Sequence, residues 1–222
     1  MKTTIKKHLC RVCSIYAKDN PKVPAELFSF KNEKADLKGF EFISPVKKSD
    51  YTIALKAGKV LWLGSDKGLV RVDPEPADYF DKVLYFSADR DLKDNNVLAI
   101  MGDEINVWVL TETGVSEIHL ISLTGEEKAD LLLKETQMYV DRHGMITQKA
   151  LAVPGDVTSA VEWGHSDNDG CFTANFAVGE IYKYATLCRE LGEDHEKTKE
   201  ALNTSVRAIE AILLLMHVCK RG

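Results

Sequence analysis

VLWLGSDKGL at residues 60–69 recurs in pattern as NVWVLTETGV at residues 106–115. Trp62 corresponds to Trp108 and Gly68 to Gly114, with the same offset of 46 residues in both pairs. In each copy an apolar run leads into a polar segment that contains glycine, which is the pattern of a strand followed by a hairpin turn. The repeat therefore predicts two copies of one antiparallel β unit.

Further strand signals surround both copies. A repeat of about 40–50 residues with a Trp-containing strand and a Gly hairpin is typical of β-propeller blades, although a small β-meander is the simpler alternative. A closed propeller has about four to eight blades, so residues 49–122 predict two incomplete blades with both tryptophans in the core between blades. The predicted strands are Tyr51–Leu55, Val60–Leu63, Leu69–Val72, Val83–Phe86, Val97–Met101, Val107–Leu110 and Val115–Leu120.

The phrases LWLGSDKGLVRVD and LKDNNVLAIMGDEINVWVLTETGVSEI make the likeness more specific. They resemble the two-component-regulator propeller repeat, whose pattern is roughly W-I-G-T-x-x-G-L with an intervening D-N-x-V. Leu63 and Val109 occupy the Ile position, and Leu110 replaces the first glycine in the second copy.

From residue 123 the apolar period becomes helical. Thr124 and Glu127 have the spacing of a capping box at the start of a first helix, which Gly144 is expected to end after His143. Two more helices, residues 172–190 and 195–218, are separated by Gly192 and form an αα-hairpin. The predicted fold class is α+β, with an irregular basic lead-in over 1–48, two propeller-like β repeats over 49–122 and a helical segment over 123–222.

The loop WGHSDNDG at residues 163–170 concentrates the side chains with useful chemistry. Such a loop at a helix start can bind a cation, bind sugar hydroxyls, present a general acid, or serve only as a capping turn. An EF-hand alignment fails, because it places His165 at position 1 and Phe176 at position 12. The sequence predicts no cofactor, with Ca²⁺ at residues 165–170 as an open alternative. The candidate catalytic residues are His165, Asp167 and Asp169, and the candidate ligand-binding residues are Trp163, Ser166, Asn168 and Asp156.

The segments LTGEEKADLLLKETQMYVDRHGMI, SDNDGCFTANFAVGEIYKYATL and TKEALNTSVRAIEAILLL carry a second resemblance. They look like the entry into a six-hairpin (α/α)-toroid domain, in which the phrase is S-D-N-D-G-L-W-T; Cys171 and Phe172 stand here for Leu and Trp. The resemblance covers residues 50–218 and implies activity on carbohydrate, within glycosidase- or lyase-like architecture. A toroid has about a dozen helices, so we expect a shortened member. A tetratricopeptide hairpin is a weaker match, since no second copy is present.

Composition excludes some classes of function. The net charge of −5 gives no reason to expect binding to nucleic acid. The sequence contains no apolar run of about 18 residues, so it does not predict a membrane span. Cys10 and Cys13 form a lone C-x-x-C without a second pair, which does not complete a zinc spacing. The first residues make a poor signal peptide, so the sequence predicts a cytoplasmic protein, whereas the family resemblance favours a secreted one.

The sequence favours a carbohydrate-associated ligand-binding or sensor-like protein that lacks full catalytic machinery. One alternative is a glycan-active enzyme that uses His165, Asp167 and Asp169, with a second carboxylate from elsewhere. Another is a protein-interaction module, because open blade edges can pair with a partner or with a second copy.

Overall fold

The computed structural model describes residues 7–38, 41–88, 90–159 and 168–218. It divides into two compact units, residues 1–128 and 129–222. The strands and helices are β1 Lys7–Tyr16, β2 Glu33–Lys34, β3 Ile53–Ala57, β4 Val60–Ser65, β5 Gly68–Val72, β6 Val83–Phe86, β7 Val97–Gly102, β8 Asn106–Thr111, β9 Val115–Thr124, α1 Gly125–Tyr139, β10 Asp141–Arg142, β11 Met145–Ile146, α2 Asp169–Leu191 and α3 Glu196–Val218. The predicted α+β class is confirmed.

Two antiparallel sheets form the first unit. One has the strand order β2-β3-β4-β5-β6 and the other β1-β9-β8-β7. All seven predicted strands are confirmed to within a few residues. The prediction of an irregular lead-in is wrong for residues 7–16, because β1 pairs with β9 along its whole length, from Lys7 opposite Thr124 to Tyr16 opposite Val115.

All six residues of strand β4 are buried. Because side chains alternate along a strand, both faces of β4 are therefore covered. Val60 and Trp62 belong to the main core, which also contains Ile100 and Ile118 from the second sheet. Leu61 and Leu63 point the other way, into a core closed by residues of the segment before β3, including Val46 and Tyr51. The first sheet is therefore covered on one face by the second sheet and on the other by chain from the lead-in.

The two repeat tryptophans occupy corresponding faces of their own sheets. Trp62 is 0% exposed and faces the second sheet. Trp108 faces away from the first sheet and packs beside Tyr16, with 5.6 Å between ring centroids, in a cluster that includes Leu27. The predicted core position is confirmed for Trp62, whereas Trp108 is only partly buried, under residues 23–27. The first sheet therefore contacts the second sheet through its tryptophan-bearing face, whereas the tryptophan-bearing face of the second sheet is turned away from the first.

The repeated hairpins have the same internal hydrogen bond. Ser65 Oγ donates to the Gly68 carbonyl at 3.0 Å, and at the equivalent place Thr111 Oγ1 donates to the Gly114 carbonyl at 2.9 Å. The loop before β7 joins both hairpins, because the Gly68 amide donates to the Asn95 carbonyl at 2.9 Å and the Thr113 amide donates to Asp94 Oδ2 at 2.6 Å. Burial raises the pKa of Asp94, but the bonds from Thr113, together with those from Thr111 and Asn96, outweigh it and hold the pKa at about 2.

Asp94 is expected to make the first unit acid-sensitive. Its folded pKa lies below the unfolded value of about 3.9, so its contribution to stability is present above that pH and is lost as pH falls towards about 2. Asp94→Ala should lower the free energy of unfolding by about 1 kcal/mol at neutral pH, a modest figure because the carboxylate is partly exposed. Urea denaturation at several pH values checks this. Equal acid sensitivity in wild type and variant would contradict it.

The second unit begins in α1. The predicted capping box is confirmed: the Glu127 amide donates to Thr124 Oγ1 at 3.2 Å, and the Thr124 amide donates to Glu127 Oε2 at 2.7 Å. The predicted end of this helix is wrong. It stops at Tyr139, and a short hairpin follows in which His143 and Gly144 both have positive φ, the geometry of a two-residue primed turn.

Helices α2 and α3 form the predicted αα-hairpin, with Gly192 at the C-cap of α2 at φ 90°. Small side chains lie where the helices meet, among them Ala177, Ala201 and Ala208, all buried. Within the ranges that the structure describes, no helix is both long and apolar enough to cross a membrane.

Candidate functional site

The sequence predicted a site in the loop before α2, of which the structure describes a part. Trp163, His165, Ser166 and Asp167 lie outside the described residues. Asn168, Asp169 and Asp156 can be placed, and each has a defined local environment.

Asp169 begins α2, and its carboxylate is used by the backbone. Oδ1 accepts a hydrogen bond from the Gln148 amide at 2.9 Å. One turn on, the buried Thr173 hydroxyl accepts from the Ile146 amide at 3.0 Å and donates to the Asp169 carbonyl at 2.6 Å. These contacts fix the start of α2 to the chain at and after β11. Asn168 precedes the helix, and its side chain makes no capping bond.

Asp156 is exposed and shapes its own turn. Oδ1 accepts from the Thr158 hydroxyl at 2.6 Å and from the Thr158 amide at 2.9 Å. These bonds lower the pKa of Asp156. In the ranges described, no three His, Cys, Asp or Glu side chains come together in a group that could hold a metal ion.

The lone C-x-x-C lies on β1. Cys13 packs against the core between the sheets, and Cys10 points to the opposite face because residues three apart on a strand alternate sides. Burial, followed by the nearby Asp91 carboxylate, raises the pKa of the Cys13 thiol to about 12. The pair therefore does not form a reactive dithiol.

A cavity that was not predicted from the sequence lies in the first unit. Its volume is about 600 Å³. Two adjacent rings on one short turn, Tyr79 and Phe80, are 79% and 78% exposed. Because both rings line the cavity, we call it the aromatic cavity. Its lining residues are Glu41, Phe42, Ile43, Lys48, Tyr79, Phe80, Lys82 and Val83.

Hydrogen bonds hold the turn that carries these rings. Asp78 caps it, since Oδ1 accepts from the Phe80 amide at 3.0 Å. The Lys82 amide donates to the Tyr79 carbonyl at 3.2 Å, and the Lys82 carbonyl accepts from the Asp73 amide at 2.9 Å. The ring centroids of Tyr79 and Phe80 are 5.9 Å apart in an edge-to-face arrangement. The aromatic surface is therefore presented by an ordered turn directly before β6.

The opposite wall comes from the segment that covers the first sheet. The Phe42 ring lies 6.2 Å from that of buried Tyr51, measured between centroids, and the Lys48 ammonium lies 5.1 Å from the Phe42 ring. Glu41, Lys48 and Lys82 add charged groups to the lining. The cavity thus combines apolar ring faces with both acceptors and donors of hydrogen bonds.

Large exposed apolar side chains grouped around a concavity mark interaction sites on proteins. The sequence carries a signal for this surface, because Tyr79-Phe80 follows the turn-forming Asp73-Pro74-Glu75-Pro76, where a buried strand is not expected. Comparisons with protein-family models, curated proteins and solved structures find no match to this chain.

Proposed function

We propose that this chain is a carbohydrate-associated ligand-binding protein of sensor type, and that the aromatic cavity receives the saccharide. The observation that carries the proposal is the exposure of Tyr79 and Phe80 on a capped turn. Large rings held in water forgo the stabilisation of burial, which for such side chains is about 1.5–3 kcal/mol. A pyranose offers a matching apolar face of C–H groups, so stacking on these rings would recover part of it.

The charged lining suits the rest of such a ligand. A sugar ring has hydroxyl groups around its edge, and each hydroxyl both donates and accepts hydrogen bonds. Glu41 can accept, while Lys48 and Lys82 can donate or pair with the carboxylate of an acidic sugar. A volume of about 600 Å³ is in the range of ligand pockets and accommodates a short oligosaccharide.

The stacking of the sheets supports the accompanying proposal of propeller-type architecture. Sheets placed face to face by a two-fold axis would bring Trp62 and Trp108 to the same interface. Instead both tryptophans lie on corresponding faces, and residues 23–27 cover the face of the second sheet that carries Trp108. This is the relation expected between successive blades.

Binding is favoured over the alternative of a glycan-active enzyme. The Asp169 carboxylate, at the start of α2, accepts a hydrogen bond from the Gln148 amide. The Asp156 carboxylate accepts one from the Thr158 amide within its own turn. Both groups thus already have local roles in the backbone, whereas Tyr79 and Phe80 are exposed to solvent.

Calorimetric titration with neutral and acidic oligosaccharides tests the proposal. The double variant Tyr79→Ala/Phe80→Ala should bind the best ligand at least about tenfold more weakly, which corresponds to about 1.4 kcal/mol. Because both rings are exposed, the double variant should remain folded. Tyr182→Ala is the matched control, since Tyr182 is 72% exposed on α2 in the other unit.

Equal weakening by Tyr182→Ala would contradict the proposed site, and no heat with any saccharide from the folded protein would contradict the function. If the folded protein gave no heat but self-associated during gel filtration, the alternative of pairing through open sheet edges would be favoured. β1 is an edge strand of its sheet and carries the exposed side chains Val12 and Ile15.

A further inference from the structure

A second cavity lies within the helical unit, where α1, α2 and α3 meet. Its volume is about 290 Å³. The lining holds three carboxylates and three ammonium groups, so each helix contributes charge. The charged residues are Asp130, Lys134, Glu180, Lys183, Lys197 and Glu200.

Glu180 is the most buried of these charged residues, at 8% exposure. Its Oε2 has no hydrogen-bond partner among the described residues. Burial raises the pKa of Glu180; Lys183 opposes this rise, and the carboxylates of Glu200 and Asp130 add to it. A buried carboxylate oxygen without a donor is costly, so the presence of Glu180 Oε2 in a cavity wall needs an explanation.

Lys183, the lysine whose charge acts on Glu180, pairs with another carboxylate. Lys183 Nζ donates to Asp130 Oδ1 at 2.8 Å. Lys183 lowers the pKa of Glu180, while Glu200 and Asp130 each raise it. Lys134 and Lys197 are exposed. A cationic group placed beside Glu180 would supply the donor that Oε2 lacks, together with a counter-charge for the buried carboxylate.

We propose that this cavity binds a small ligand that carries a primary ammonium group, of the size of an amino monosaccharide, and that Glu180 receives the ammonium. The volume of about 290 Å³ is at the lower end of ligand pockets, which limits the ligand to about one sugar ring. Gln137 and Glu200 offer partners for hydroxyl groups. The site lies in the other unit from the aromatic cavity and does not depend on it.

Glucosamine and glucose provide a matched pair of probes, since they differ by an ammonium group in place of a hydroxyl. Titration of the full chain at about pH 6.5, where the amine is charged, should show glucosamine binding at least about tenfold more tightly than glucose. Glu180→Gln keeps the shape and removes the charge, and should weaken glucosamine binding at least about tenfold. Each titration is repeated in the Tyr79→Ala/Phe80→Ala background, which removes binding of either sugar at the aromatic cavity, so this test is independent of that cavity.

The pH dependence of binding gives a second readout. Protonation of Glu180 removes the charge that would receive the ammonium, so the affinity for glucosamine should fall as the pH is lowered towards the raised pKa of Glu180, and Glu180→Gln should not show this fall. Equal affinity for both sugars, no binding to the folded chain, or unchanged affinity in Glu180→Gln would overturn the proposal. An equal fall in wild type and Glu180→Gln would overturn the role of Glu180.

Discussion

Trp62→Ala is expected to lower the free energy of unfolding of the first unit by about 3–5 kcal/mol, enough to unfold a marginally stable domain. Trp62 is fully buried between the two sheets, 5.7 Å from the Phe86 ring between centroids. Its indole Nε1 donates to the Asp103 carbonyl at 2.9 Å, which ties β4 to the turn between β7 and β8. Alanine would leave a large cavity and an unpaired carbonyl at the interface of the sheets.

The repeat supplies the control for this experiment. Trp108→Ala removes the same side chain from the equivalent position, but Trp108 is only partly buried under residues 23–27. We expect a loss of about 1–2 kcal/mol, because less apolar area returns to water. Urea denaturation followed by circular dichroism compares the variants, with unchanged slopes as evidence that the denatured states are comparable. Similar losses from both variants would show that Trp62 is not the main contact between the sheets.

The sequence predicted the strands near the repeat because their period and turns are local. β1 escaped prediction for a nonlocal reason. Arg11 interrupts its apolar run, yet the guanidinium finds partners from distant chain: Nη1 donates to Asp91 Oδ2 at 2.8 Å and to the Tyr85 carbonyl at 2.8 Å. It also lies 4.7 Å from the centre of the Phe86 ring. Arg11 argues against a strand in the sequence alone, but its charge is paired by contacts that exist only in the folded unit.

Both candidate cavities are likewise lined by residues that are far apart in the sequence. Phe42 and Tyr79 line one cavity although β3, β4 and β5 separate them in sequence. In the sequence, Glu180 does not differ from the other polar residues of an amphipathic helix. In the structure, residues of α1 and α3 line the same cavity as Glu180. The loop at residues 163–170 has the opposite character. Its composition is conspicuous in the sequence, but its described members, Asn168 and Asp169, lie at the start of a helix, where Asp169 holds the backbone.

Arg71→Ala should be the second strongly destabilising change, with an expected loss of about 3 kcal/mol in the free energy of unfolding. Arg71 is buried on β5 beside Trp62, with its guanidinium carbon 5.9 Å from the ring centroid. Nε donates to the Glu104 carbonyl at 3.0 Å, and Nη2 donates to Asp73 Oδ2 at 3.4 Å. Burial lowers the pKa of Arg71, with Asp73 the first of the groups that oppose the change. Alanine would strand the Glu104 carbonyl and leave Asp73 with Lys59, whose ammonium is 3.6 Å away.

Arg90→Ala is the matched control, because Arg90 also pairs with an aspartate, Asp91, at 3.3 Å, but from an exposed side chain. That pair should contribute less than about 1 kcal/mol. Arg71→Met should recover part of the loss, since methionine fills the space without a desolvated charge. Urea denaturation of the three variants gives the comparison. If Arg71→Ala cost no more than Arg90→Ala, the buried arginine would not be a structural link between β5 and the turn at Glu104.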